Sequence, residues 1–348
     1  MRISVCIPQY NRSAYLLKAL ESIRVQTHPD VEVVVADDCS TDDTATVVPA
    51  YLEASGLRYS FFRHPRNIGY DGNLRSALAA ATGDYLFILG NDDCLPEERT
   101  LANVATCIEA HGRPAVVLGN VSDYASPNAV STRVRATENL GHGVELALQM
   151  FRAFSCVAGL VFERCAFHRV NTTKYDDSIY VQMFLASSII ANGGDLLTIK
   201  EPIAVVGSHV DGKHANSYVD NLQQFNWRYR PALGGLDQVG RVVCDAILPC
   251  LPEAERQNAM WRIFRQLLTY SYTYWLYDYR KHDAYWASLN LAIGCFPTSL
   301  TRKVSASPLT LSKLLAVYLP ASIVGLGMPL MLLEPVKDIV RSTSRRFA

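Results

Sequence analysis

The chain has no surplus of either charge: 33 Lys and Arg stand against 33 Asp and Glu. A dedicated nucleic-acid binder normally carries a basic excess, so the balance argues against that class. There is no C-x-x-C pair among the nine cysteines. An odd, unpatterned set, several of it inside apolar runs (Cys6, Cys156, Cys295), predicts reduced thiols in a cytosolic protein. The opening RISVCIP enters a strand at once, without a charged and then apolar leader, so no signal peptide is expected. The N-x-[ST] matches, Asn120 and Asn171 among them, then read as chance. G-x-S-x-G, H-E-x-x-H and G-x-G-x-x-G are all missing, which leaves hydrolase, zincin and dinucleotide readings without a foothold. Repeats and low-complexity segments are missing too.

What remains is 348 residues, 49% of them hydrophobic. That is enough for one sizeable α/β domain with an appendage, or for two domains. The first 120 residues alternate strand and helix signals. ISVCI (3–7) is an apolar run ended by Pro8, and NRSAYLLKALESIRVQ places Leu16, Leu17, Leu20 and Ile23 at helical spacing behind an Asn11/Ser13 cap. VEVVVA (31–36) is a second strand, and STDDTATVVPAYLEAS opens with cap-like residues. LRYSFFRH is a third strand, GYDGNLRSALAAATG a helix closed by Gly83, and DYLFIL (84–89) a fourth strand. PEERTLANVATCIEAHG is a helix closed by Gly112, and PAVVLGN a fifth strand. Continuous apolar strands separated by helices predict a parallel sheet covered on both faces.

From about residue 121 the pattern loosens. A polar loop (122–143) precedes the apolar ALQMFRAFSCVAGLVF. KYDDSIYVQMFLASSIIANGG reads as a loop opening a helix that ends at Gly193 and Gly194, and DLLTIKEPIAVVGSH as strand. Residues 220–300 are aromatic-rich and read as helical, and the Tyr and Trp stripe from Trp261 to Trp286 reads as helix packing rather than a sugar platform. Residues 314–333 carry no charge over twenty positions, long enough for a membrane span. Pro320, Gly325, Gly327 and Pro329 interrupt the run, so an interfacial segment, a re-entrant one and a buried helical hairpin stay open. Arg302, Lys303, Lys313, Lys337, Arg341, Arg345 and Arg346 outnumber Glu334 and Asp338 there, a basic tail suited to anionic lipid.

Three carboxylate pairs stand out. Asp37 and Asp38 follow the second strand, Asp92 and Asp93 the fourth, and Asp176 and Asp177 precede the helix near Ile179. Ligands of parallel sheets bind beyond the carboxyl ends of the strands. The first two pairs are read at the ends of neighbouring strands, facing one crevice. Two acidic pairs in one crevice predict a hard divalent cation, Mg²⁺ or Mn²⁺, with positions left for substrate phosphates. Beside that stand plainer readings: Asp37, Asp42 and Asp43 as helix caps, Asp176 as a cap or supporting group, Asp177 as the N-cap of the following helix, Tyr10 as a core aromatic, Arg66 as an exposed loop residue.

SVCIPQYNR, then VEVVVADDCSTDDT, then Asn67-Ile68-Gly69, then GDYLFILGNDD together resemble the family 2 glycosyltransferases over roughly residues 1–210. The resemblance implies a GT-A fold: a Rossmann-like, mostly parallel sheet with helices on both faces, here followed by a helical C-terminal region. It implies that Pro8, Tyr10 and Asp38 line a nucleoside pocket, Tyr10 stacking on the base and Asp38 meeting a pyrimidine ring nitrogen, which favours a UDP- or dTDP-sugar. Asp37 and Asn67 lie beside that pocket. Asp92 falls near ribose and diphosphate, and Asp93 becomes the ligand of Mn²⁺ or Mg²⁺. Asp177 becomes the base of an inverting displacement, with Asp176 beside it, and His209 and Ser208 lie in a polar loop over the diphosphate. Where many members have an aspartate this chain has Gly90.

The expected divisions are a catalytic part (1–215), an aromatic helical part (216–300) and a tail (301–348). The expected acceptor is a saccharide or lipid-linked saccharide at the cytoplasmic membrane face, in surface polysaccharide synthesis. Two other classes stay beside it: a non-catalytic nucleotide- or glycan-binding scaffold, supported by Gly90, and a nucleotidyltransferase, which wants a glycine-rich basic loop that PQYNRSAY does not supply. GSHVDGKH (207–214) mimics a phosphate-binding loop, but His214 stands where Ser or Thr must hold Mg²⁺.

Overall fold

The structure, a computed structural model, describes residues 1–126, 130–214, 235–282 and 285–333. The alternation of signals becomes β1 (Ile3–Gln9), α1 (Ser13–Arg24), β2 (Val31–Asp37), α2 (Thr44–Ser55), β3 (Arg58–Arg63), α3 (Tyr70–Ala80), β4 (Tyr85–Ile88), α4 (Thr100–Ala110) and β5 (Val116–Asp123). The short strands β6 (Val130–Ser131) and β7 (Glu138–Asn139) follow. Then come α5 (Val144–Met150), β8 (Leu160–Glu163), α6 (Arg164–Val170), α7 (Val181–Ala191) and β9 (Leu196–Val206). The strands make one nine-stranded sheet in the order β3-β2-β1-β4-β8-β5-β9-β7, with β6 on β5.

The first four strands of that order are mutually parallel. Side chains alternate between faces along each strand. Ile3, Val5, Ile7, Val33, Val35 and Phe87 pack under α1, α2 and α4. Cys6, Val34, Ala36, Leu86 and Ile88 pack under α3 and α7 on the other side. Burial on both faces is why these strands read as unbroken apolar runs.

The mostly parallel sheet is as expected, with one strand added to it and two expectations corrected. β8 lies antiparallel between β4 and β5, so the sheet is mixed beyond β4. It hid within an apolar stretch where a four-residue strand has no period to show. β2 and β4 are not neighbours: β1 runs between them, and the two acidic pairs end on either side of it. The first helix is not capped by Asn11 or Ser13. Arg12 occupies the N-cap with φ 61° and no side-chain cap bond, and Asp42 accepts the Ser13 amide at 2.9 Å instead.

The C-terminal helices share the core of the α3/α7 face. Leu236–Ile247 packs on α7, and Glu253–Gln266 continues through a π-helical turn, Leu267–Tyr272, into Thr273–Lys281. The aromatic stripe is largely packing. Tyr272 is buried, stacks on Tyr318 at 5.7 Å and bonds the Ser322 hydroxyl at 2.7 Å, whereas Trp286 is exposed. Gly240 marks the tightest crossing, because a Cβ there would stand 2.2 Å from Phe264 Cε1. Gly240→Ala is expected to destabilise the fold by about 1–3 kcal/mol through overpacking, read as a lower urea midpoint at unchanged m-value.

The helix that carries the uncharged C-terminal stretch begins before it, includes Lys313 and stops at Gly327. Pro308–Gly327 is one helix, capped by the Ser307 hydroxyl and carrying Pro320 inside it. It is long and apolar enough to cross a membrane, yet only 22% of its apolar window is buried, so the buried-hairpin reading falls. The expected boundary at 215/216 and the tail residues Lys337, Arg341, Arg345 and Arg346 lie outside the described residues.

Candidate active site

The crevice at the carboxyl ends of β1, β2 and β4 is framed by buried amides. Gln9 is fully buried, donates to Thr44 Oγ1 at 2.9 Å and accepts from Asn91 at 2.8 Å. Asn73 Nδ2 donates to the carbonyls of Ala36 (2.9 Å) and Gln9 (3.2 Å), tying α3 to two strand ends. Strand-end carbonyls left outside the sheet ladder need such partners.

Tyr10 follows β1 and is 46% exposed, so it is not a core aromatic. Pro8, one residue before Gln9, is partly buried in β1. Asp37 is fully buried and serves structure: its Oδ1 accepts the Ser40 amide at 3.0 Å, and Arg63 approaches Oδ2 at 3.4 Å. Asp38 is buried too. Its two oxygens accept the amides of Ile68 (2.7 Å) and Gly69 (3.0 Å), while Asn67 reaches back to the Asp38 carbonyl at 3.3 Å. Asp38 therefore anchors the loop that enters α3.

From α3 the connection continues to the third acidic pair. Asp71, in the first turn of α3, accepts from Val181 N at 3.1 Å and from Ser178 Oγ at 3.3 Å, and takes the Ile179 amide at 2.5 Å. It is the Asp71 carboxylate, not Asp177, that satisfies the N-terminus of α7. Burial pushes the Asp71 carboxyl up to about 6 against the opposing pull of those amides. Arg75, one turn on, grips Asp176 with a 2.6 Å Nε bond and a second bond, and reaches Asn171 at 3.1 Å. Asp176 is thus an ion-pair partner rather than a cap. Asp177 is left pointing outward with its side chain 71% exposed, and Arg241 stands 4.0 Å away.

The pair after β4 divides its work. Asp92 meets Arg12 at 3.0 Å, so a protein cation settles one of the two adjacent charges. Asp93 is 7% exposed and has no ion pair among the described residues. Burial first, then neighbouring Asp92, pushes its carboxyl up to about 7, against the amides of Gly207 and Gly90. Segment 205–208 is stapled alongside: Cys94 and Val205 exchange backbone bonds at 2.9 and 2.8 Å, Ser208 N donates to Asp92 O at 2.9 Å, and Gly207 N reaches Asp93 Oδ1 at 3.3 Å. The Ser208 hydroxyl is buried without a hydrogen-bond partner among the described residues. His209 begins a hairpin, His209–Val210 against Lys213–His214, turned at Asp211 and Gly212 with positive φ. Lys18 holds it through the His209 carbonyl at 2.8 Å. The apparent phosphate-binding loop is this hairpin.

Gly90 acquires a physical reason. A Cβ at that position would meet Asp93 Oδ2 at 2.5 Å, so the missing aspartate leaves the space into which Asp93 folds. For a divalent cation the donor set is two hard carboxylates, one of them buried and unpaired. No group of three His, Cys, Asp or Glu converges among the described residues. Such a set fits a cation that takes most of its oxygen ligands from a bound diphosphate and water.

A mostly parallel sheet with an acidic crevice at its carboxyl ends, and a third acidic pair carried before a facing helix, is the architecture of the GT-A glycosyltransferases. Residues 4–171, just under half of the chain, match the model of glycosyl transferase family 2. Abequosyltransferase RfbV of Salmonella typhimurium is 35% identical over 112 residues, 32% of this chain and 33% of that protein. Poly(ribitol-phosphate) beta-N-acetylglucosaminyltransferase TarS of Staphylococcus aureus is 37% identical over 114 residues, 32% of this chain and 19% of its own length. The matched segment thus spans a third or less of these two relatives. The crystal structure of S. aureus TarS 1-349 in complex with UDP-GlcNAc superposes with a TM-score of 0.63 over 94% of this chain and 90% of that one, at 19% identity, which establishes a shared fold.

Proposed function

We propose that this chain is an inverting glycosyltransferase that moves a sugar from a pyrimidine nucleoside diphosphate to a saccharide or lipid-linked saccharide acceptor in surface polysaccharide synthesis. The observation that carries the proposal is the contrast between Asp93, buried and unpaired beside β4, and Asp177, exposed on a loop held in place from both sides. The first suits the diphosphate end of a donor, the second an incoming hydroxyl. TarS, whose fold is shared, was solved with UDP and with UDP-GlcNAc, which favours a uridine donor.

In this reading Tyr10 stacks on the base and Asp38 accepts from a pyrimidine ring N–H with the acceptor capacity its two oxygens retain. Asp92, with Arg12, lies toward the ribose and diphosphate, and His209 and Ser208 close over the phosphates. Asp93 would hold Mn²⁺ or Mg²⁺, whose positive charge offsets the charge growing on the departing nucleoside diphosphate. Asp177 takes the proton from the acceptor hydroxyl as that oxygen attacks the anomeric carbon opposite the leaving group, which inverts the configuration. Presentation at the inner membrane face is supported by the exposed Ile323, Met331 and Leu332, and by Lys313 on the same helix as Ile323.

The test is release of nucleoside diphosphate from a panel of nucleotide sugars, with and without Mn²⁺, beside Asp93→Ala. Slow release from one donor that needs the cation and disappears in the variant is expected. Absence of both turnover and nucleotide binding with Mn²⁺ present would sink the proposal. Gly90→Ala gives a finer check. Its methyl group must displace the Asp93 carboxylate, and a shift of that order costs about 10²-fold in turnover. The Tm should stay close to that of the wild type.

A further inference from the structure

We infer that the cavity between the catalytic half and the C-terminal helices receives the apolar chain of an anionic, single-chain lipid phosphate that serves as acceptor anchor, with Arg152 meeting the phosphate. The inference rests on the glycosyltransferase reading and names the chemical class of its acceptor. The cavity measures about 640 Å³, within the range of built ligand sites. Met183, Leu236, Val239, Leu267 and Trp275 supply apolar wall from both halves.

Arg152 is the only charged side chain among the described lining residues. Its guanidinium lies 4.2 Å from the Tyr270 ring and bonds the neutral Gln266 Oε1 at 3.1 Å, with no carboxylate in ion-pair reach among the described residues. Burial lowers its pKa, the mark of a cation short of solvent and of a counter-charge. An apolar chamber with one unmatched positive charge selects an amphiphile with a negative head over a neutral one.

Exposed Cys156 lines the chamber beside Arg152, so the charged side chain stands near its mouth. Val324 and Leu333 line the chamber from the C-terminal helices. Val324 sits on the helix whose exposed Ile323 continues the apolar surface outward, and Met331 and Leu332 extend it. The wall also includes the π-helical turn Leu267–Tyr272, a departure from α-helix that recurs at functional sites. A chain entering from a membrane surface would thus bring its phosphate to Arg152.

The experiment is calorimetric titration of the full chain with dodecyl phosphate below its micelle concentration, with dodecanol and inorganic phosphate as separate arms, and with UDP as an independent arm. Dodecyl phosphate is expected to bind and inorganic phosphate not to. Arg152→Gln should weaken dodecyl phosphate about tenfold or more while leaving dodecanol unchanged. Val239→Trp, which fills the chamber, should abolish binding of both chains and spare UDP; Ser271→Phe serves the same purpose should the tryptophan variant not fold. Failure of dodecyl phosphate to bind, equal binding in the filled variants, or phosphate binding as tightly as dodecyl phosphate would each overturn the inference. UDP binding in the same samples keeps those outcomes apart from a failure of the glycosyltransferase reading, which would show as loss of the UDP arm.

Discussion

Asp177→Asn is expected to lower kcat by about 10²–10⁴-fold, the contribution of a positioned general base. Donor KM and Tm should hardly change. The side chain is 71% exposed and no hydrogen bond from it supports the fold among the described residues, so its removal leaves no buried group unpaired. Steady-state transfer assays with nucleotide affinity and thermal unfolding measured in parallel check this. A variant that keeps kcat, or that loses donor binding along with it, would remove Asp177 from the role of base. The adjacent Asp176→Asn serves as contrast. It breaks the grip of Arg75, so stability and kcat should fall together.

Asp71→Ala should be the most damaging substitution near the site for stability. It strips acceptors from the amides of Ile179 and Val181 and from the Ser178 hydroxyl. Leaving such buried donors unpaired costs about 3 kcal/mol in all, or a Tm loss of roughly 5 °C. Because the same contacts hold the loop that carries Asp177, kcat should fall at least tenfold while donor KM moves little.

Asp71→Asn adds a pH signature. The folded-state carboxyl is raised to about 6, above the ordinary aspartate value of about 3.9. The folded state therefore holds a proton that the unfolded chain has released. The stability this group contributes is present in full below about pH 4 and is lost as pH rises through about 6. The Tm advantage of the wild type over Asp71→Asn should be largest near pH 4 and narrow by pH 7. An advantage that widens with pH would show that the ionised form is the one the fold prefers.

Two adjacent aspartates at the edge of a core needed a positive partner. A divalent cation was the natural expectation, and Arg12 supplies part of the answer from within the chain. Nothing in N-R-S announces it, because Arg12 and Asp92 are eighty positions apart and meet only after β1 and β4 pair. Asp71 escaped for the same reason. G-Y-D-G reads as a helix start with an acidic first turn, and its partners at 178–181 are set against it only when α7 packs near α3.

The alternation of buried strands and amphipathic helices, the acidic pairs where strands end and the glycine at position 90 are all legible in the residue order. Each follows from local rules: period, apolar content, turn chemistry. The tertiary structure decided which strands are neighbours, that β8 reverses direction, and how the carboxylates divide. Asp37, Asp38 and Asp71 bind backbone, Asp92 and Asp176 bind arginines, Asp93 is buried unpaired and Asp177 is exposed. A carboxylate carries the same charge in every one of these positions. Its burial and its partners, set by contacts distant in sequence, determine whether it anchors a loop, balances an arginine or remains available to a substrate.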